Sequence, residues 1–198
     1  CDNMVLSGGR SYGTQNKFIL VVIDQLSRYV FLRSCYSTKF DHQRAAWDDI
    51  FKRLKEMGFG NAVEVAFHDG GPEFNNHQFR AYLNEKKIRS NLIGQRPYRL
   101  SKNSPYAEAA IRRIRMHLEE NVSMKKGNEN FKDILERTES QCNSEQLSSI
   151  GMSANDALNH DANYVVIVSQ SKTIGRRKHL KNELKNKTEI KIKTVVRI

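Results

Sequence analysis

Phe67-His68-Asp69-Gly70-Gly71-Pro72-Glu73-Phe74 is the stretch whose reading decides the fold of this chain. The run Ala62-Val63-Glu64-Val65-Ala66-Phe67 leads into it with the composition of a buried strand. Gly70 and Gly71 allow a sharp turn. A helical pattern follows, with Phe79, Tyr82 and Leu83 on one side. A carboxylate at such a strand tip is held by a rigid element and still faces solvent, which suits it to grip a divalent cation. A second acidic residue lies in Ser104-Pro105-Tyr106-Ala107-Glu108, where serine followed by proline marks a helix start.

Working outward, Lys17-Phe18-Ile19-Leu20-Val21-Val22-Ile23-Asp24 is a nearly unbroken apolar run that predicts a central strand. Asn3-Met4-Val5-Leu6 before it and Arg28-Tyr29-Val30-Phe31-Leu32 after it predict two more, in antiparallel order. Gly8, Gly9 and Gly13 punctuate the first connection. Trp47, Ile50, Phe51 and Leu54 form the stripe of a helix that Asp41 is expected to cap and Gly58 to end. Ile88–Ile93 reads as a strand, and Gly94–Asn103 as a polar, basic loop. The helix opened by Ser104-Pro105 has the stripe Ala107, Ile111, Ile114 and Leu118. Another helix carries Phe131, Ile134 and Leu135, and Ser153 caps a short one over Ala154–Leu158. Tyr164–Val168 is expected to be a short strand. An antiparallel start followed by βα units implies a mixed sheet flanked by helices.

The chain has 198 residues and a net charge of +11. From Ser171 to Ile198 there are ten Lys/Arg against Glu183 and Glu189, a net of +8 that leaves +3 for the rest. Such a balance favours a polyanionic partner. No apolar run approaches the ~20 residues of a membrane helix, and the tail lacks an apolar helical face, so no membrane partner is expected. Cys1, Cys35 and Cys142 are widely spaced and form no CxxC, so neither a disulfide framework nor a zinc site is visible and a reducing intracellular compartment is expected. The chain starts at Cys1 and reads as a piece of a longer protein. We expect one domain over 1–160 and a basic linker over 161–198 that opens a truncated DNA-binding module.

Carboxylates on separate elements of a basic protein suggest phosphodiester chemistry. Two metal ions ~3.5–4 Å apart can activate a nucleophile and stabilise the leaving oxygen, and about three convergent acidic side chains can hold them. HDGGPEF, the following helix and SKNSPYAEAAIRRIR together resemble the retroviral and retrotransposon integrase family. FILVVIDQLSRYVFL resembles that family's second and third strands, and CNSEQLSSIGMSANDAL its later segment. The resemblance spans roughly residues 1 to 160. It implies a ribonuclease-H-like fold with a mixed five-stranded sheet flanked by helices, followed here by a basic C-terminal extension. It also implies a D,D,E triad holding Mg²⁺ or Mn²⁺, and a DNA strand transferase that processes 3′ ends and inserts mobile-element DNA, acting on element and target DNA as a homo-oligomer in the nucleus.

Within that resemblance Asp69 matches the second aspartate and Glu108 the glutamate; the 38 residues between them slightly exceed the family's usual spacing, which the loop Gly94–Asn103 accommodates. The first aspartate is read as Asp2, 22 residues before Asp24, in preference to Asp24 itself. Arg112 and Arg115 follow Glu108 by four and seven residues and share its helical face, where guanidinium groups can hold phosphates. Arg96, Arg99 and Lys102 would line the loop with Tyr106 beside DNA. Structural readings stand beside each of these. Asp69 fits an Asx turn, Glu108 a helix dipole, Asp24 a strand end bonding backbone amides, and Arg115 a pair with Glu119. His68 reads as a packing or tuning residue and Trp47 as core. Lys193–Ile198 loosely resembles the opening strand of a small C-terminal barrel, against a disordered lysine-rich tail. A nuclease that cuts without joining, and an inactive DNA-binding descendant, are the alternative functions.

Overall fold

The computed structural model describes residues 1–6, 14–60, 62–68, 70–92, 105–124 and 129–176. Strands β1 (Asp2–Val5), β2 (Phe18–Ile23) and β3 (Val30–Cys35) form an antiparallel sheet with β2 in the middle. Asp2 lies opposite Val21, and Ile23 opposite Val30. Helix α1 (Phe40–Glu56) leads to β4 (Val65–His68), α2 (His77–Glu85) and β5 (Arg89–Leu92), and β4 and β5 pair in parallel. Helices α3 (Pro105–Ser123) and α4 (Phe131–Ser144) follow. A two-residue-per-strand hairpin, β6 (Gln146–Leu147) and β7 (Met152–Ser153), precedes α5 (Ala154–Asn159) and α6 (Ala162–Arg176).

Alternation along β2 sorts the core into two layers. Ile19 and Val21 join Ala110, Ile114 and Leu118 of α3 and Ile134 of α4 on one face. Leu20 joins Trp47 and Ile50 of α1 and Phe79 of α2 on the other. Because β2 carries apolar residues at both parities, it is buried on both faces, as its unbroken run requires.

Four expectations are corrected. The single five-stranded sheet is, among the described residues, a three-stranded sheet beside a two-stranded one. Between β1 and β4 there is no ladder; the Cys1 backbone nitrogen donates to Phe67 O at 2.7 Å, and beyond it Asn3 turns its side chain to Gln43 and Glu73. Asp41 does not cap α1. Buried Phe40 starts the helix one residue earlier, Lys39 stands at the N-cap, and Asp41 sits in the first turn, where its charge suits the dipole. Gly58, at φ +85°, follows the α1 C-cap residue Met57 as expected of a terminating glycine. The strand expected over 62–67 begins only at Val65. Tyr164–Val168 is helical. Val165 is fully buried and Val168 packs on the same cluster, while Tyr164 and Ile167 are exposed, so the i, i+3 period and core contact override β-branched propensity. The remaining expectations for the loop 94–103 and for 177–198 lie outside the described residues.

One edge of the main sheet is closed by side chains. Among the described residues strand β3 has β2 on one side only, and α4 covers the other. Asn143 accepts from Val30 N–H and donates to Val30 O, both at 2.9 Å. Glu139, one turn earlier, accepts from Leu32 N–H at 2.7 Å. An i, i+4 pair of polar side chains thus does for β3 what a neighbouring strand would do.

Candidate active site

Asp2 enters the site from β1. Met4, two residues on, is buried in the α3 layer, so alternation places Asp2 on the face of the sheet that α3 covers. Its Oδ1 accepts from Asn3 N–H at 2.7 Å. Asn3 points the other way, accepting from Gln43 of α1 at 3.1 Å and donating to Glu73 at 3.3 Å.

Two ties therefore bracket Asp2 against the turn at the end of β4. On one side Cys1 N–H bonds Phe67 O; on the other Asn3 bonds Glu73. Asp69 falls between Phe67 and Glu73 in sequence and itself lies outside the described residues. The residues that follow, Gly71 to Asn76, are held by their own bonds. Gly71 O accepts from Phe74 and Asn75 N–H, and Asn76 accepts from Phe79 N–H as N-cap of α2. Phe74 is fully buried between His68 and Phe79. His68 is buried too, with Nε2 2.9 Å from Ser90 Oγ, so it packs as expected.

Glu108 enters from the first turn of α3 and is exposed, as are Arg112 and Arg115. Neither arginine takes part in an ion pair among the described residues. Arg113 points elsewhere and meets Glu145 at 3.6 Å. Arg96, Arg99 and Lys102 lie outside the described residues.

The three elements converge. Cys1, Phe67 and Ala107, the near neighbours of Asp2, Asp69 and Glu108, line one cavity, together with Asp24 and Tyr106. Asp24 has a different duty. Its carboxylate accepts from Ser27 N–H at 2.8 Å and from Ser27 Oγ, and its backbone closes the β2–β3 turn through Tyr29 O and Arg28 N–H.

That turn holds a residue the sequence did not single out. Arg28 has φ +64° and lays its guanidinium 3.5 Å from the Tyr106 ring centroid, two residues before Glu108. Burial pulls its pKa below the ordinary value. The contact pins the start of α3 to the sheet. Arg28→Ala is expected to cost about 1–2 kcal/mol, because it removes the stack and the bond to Gln25 O while the positive-φ strain is unchanged. Arg28→Gly is expected to cost about 1 kcal/mol less; urea denaturation of both variants checks the order. The six-residue link between two strands was the available signal, but nothing in it marks which residue takes φ > 0.

Among the described residues no three His, Cys, Asp or Glu side chains group as a metal site. Asp2 and Glu108 are hard oxygen donors on separate rigid elements, which fits Mg²⁺ or Mn²⁺.

No family model and no curated protein sequence matches the chain. Solved structures do. The magnesium-bound catalytic core domain of HTLV-2 integrase in its trimeric form aligns over 71% of this chain and 83% of that chain, at 14% identity and a TM-score of 0.56. This chain has the fold of a retroviral integrase core. The dimeric form of the HTLV-2 domain gives a TM-score of 0.55 with the same coverage and identity. The simian T-cell lymphotropic virus intasome bound to the PP2A regulatory subunit B56 gamma gives 0.58, over 73% of this chain and 49% of that chain, at 15% identity. At such identity the likeness concerns the fold alone.

Proposed function

We propose that this chain is a DNA strand transferase that processes 3′ ends and inserts mobile-element DNA into a target. The observation that supports this best is the bracketing of Asp2 against the Phe67–Glu73 turn, with Ala107 of the Glu108 helix lining the same cavity. Asp2, Asp69 and Glu108 would hold Mg²⁺ or Mn²⁺, which when bound activates the attacking oxygen and stabilises the leaving one. The reaction balances without a further cofactor. Water first breaks a phosphodiester near the element end and frees a 3′-hydroxyl. That oxygen then attacks a target phosphorus and displaces a target 3′-oxygen, so one phosphodiester forms as one breaks.

In this reading Arg112 and Arg115 bind phosphate rather than base, together with Arg96, Arg99 and Lys102. The HTLV-2 domain named above is described as a dimer and a trimer, and the simian viral protein as an intasome. By analogy we expect this chain to act as a homo-oligomer on DNA, in the nucleus, with the basic segment over 161–198 as a linker towards a further DNA-binding module.

The test uses the full chain, duplexes with a recessed 3′-hydroxyl, a supercoiled plasmid and Mg²⁺ or Mn²⁺. Covalent joining of duplex to plasmid is the expected product. Cutting without joining would assign a nuclease. No product with either metal, and no metal-dependent change in Tm, would sink the catalytic reading. Arg112→Ala and Arg115→Ala are each expected to lower the salt slope of log K for duplex DNA by about 1, measured by fluorescence anisotropy.

A further inference from the structure

Behind the candidate site the cavity runs inward between α1 and the sheet, with a volume of about 90 Å³. Its inner wall is apolar: Phe31, Ile50, Phe51, Leu54 and Ala66 contribute, with Trp47 among them. A space of this kind needs only ~10–15 Å³ to admit one water, and it stays favourable for water only where polar partners line it. Here the polar side chains of the lining include Gln25, Tyr29 and Asp24, whose carboxylate is engaged by Ser27. Trp47 is 3% exposed, stacks on Phe51 and lies tilted against Phe79, and its Nε1–H has no acceptor among the described residues. Tyr29 also lines the cavity, and its hydroxyl accepts from Arg53 at 3.5 Å. An apolar cavity beside an unanswered buried donor suits a ligand that is mostly hydrocarbon and brings one acceptor.

We propose that this cavity is a binding site for a compact, largely hydrocarbon small molecule carrying a single hydrogen-bond acceptor, which Trp47 Nε1–H satisfies. The site adjoins the candidate metal position, since Asp24 and Tyr106 line the same cavity, and its test is independent of strand transfer. Its lining includes Cys1, Phe67 and Ala107, so an occupant would brace the elements that carry the candidate carboxylates.

Trp47 is the chain's single tryptophan, so its fluorescence reports on the cavity directly. The probes are cyclohexanone and methylenecyclohexane, which match in shape and differ in the acceptor. Both are expected to give saturable changes in fluorescence and to raise Tm. In Trp47→Phe, followed by Tm, cyclohexanone affinity is expected to fall about five-fold while methylenecyclohexane is unaffected, the loss of one net hydrogen bond. Ala66→Leu, which fills the cavity, is expected to abolish binding of both; should that variant fail to fold, Val63→Phe fills the same space from the rim. Linear, non-saturating quenching without a Tm shift, equal losses for both probes in Trp47→Phe, or unchanged binding in the filled variant would each overturn the proposal.

Discussion

Glu108→Gln is expected to lower strand transfer by more than about 100-fold, since even the outer partners of metal ligands cost about 10–100-fold when removed. The side chain is exposed in the first turn of α3, so its loss of charge should change stability by less than about 1 kcal/mol, the size of a dipole contribution there. Asp2→Asn is expected to match it. It keeps the acceptor for Asn3 N–H and removes only the charge that a cation needs. Asp24→Asn separates the two first-aspartate readings. Its acceptor for Ser27 survives, so joining is expected to stay within about three-fold of wild type while Asp2→Asn is dead. Joining by the Asp2 variant together with loss in the Asp24 variant would invert the assignment. Thermal melts without metal should show all three folded, which keeps the comparison about chemistry.

Glu139→Ala is expected to be the most damaging single change to the fold. Glu139 is 2% exposed on α4, accepts from Leu32 N–H, and meets Arg33 at 2.9 Å and Arg53 at 2.7 Å. Truncation strands a backbone N–H at the sheet edge and takes one carboxylate partner from each of two guanidinium groups, of which Arg33 keeps Asp49. Removing one partner of a buried pair costs about 3–5 kcal/mol, and the partial exposure of Arg53 argues for the low end. At about 3 kcal/mol the fall in Tm is roughly 6–12 °C. Glu139→Gln keeps the Leu32 bond and is expected to cost about half as much.

The same residue has a pH signature. Burial pushes the Glu139 carboxyl above its ordinary value, against the pull of Leu32 N–H and of both arginines. A folded state with the higher pKa binds the proton more tightly than the unfolded chain. This contribution is therefore fully present below the unfolded value and is lost as pH rises through the folded one. The Tm gap between wild type and Glu139→Gln is expected to widen as pH falls from neutrality into the carboxylate range. A gap that narrows would mean the arginines, not burial, set the protonation of this group.

Much of the fold was legible because its signals are local. The unbroken apolar run of β2, the stripes of α1 and α3, and the serine at the N-cap of α5 each follow from period or capping chemistry within a few residues. Tyr164–Val168 was misread because four β-branched residues imitate a strand when the core that selects Val165 and Val168 is out of view. Glu139 and Asn143 went unnoticed although they sit on the apolar stripe of α4; polar residues at i, i+4 on a buried face were the available clue.

By itself the sequence determined which side chains carry hard oxygen donors, which helix faces are apolar, and that the chain is basic enough to meet a polyanion. Only the tertiary structure ties Cys1 and Asn3, on either side of Asp2, to Phe67 and Glu73, and turns the Asp24 carboxylate to Ser27. The bonds responsible, Cys1 to Phe67 and Asn3 to Glu73, join residues 66 and 70 apart. Contacts at that separation leave no periodicity in a linear chain. They come into being only once two faces of a sheet have been buried and the strand ends brought side by side.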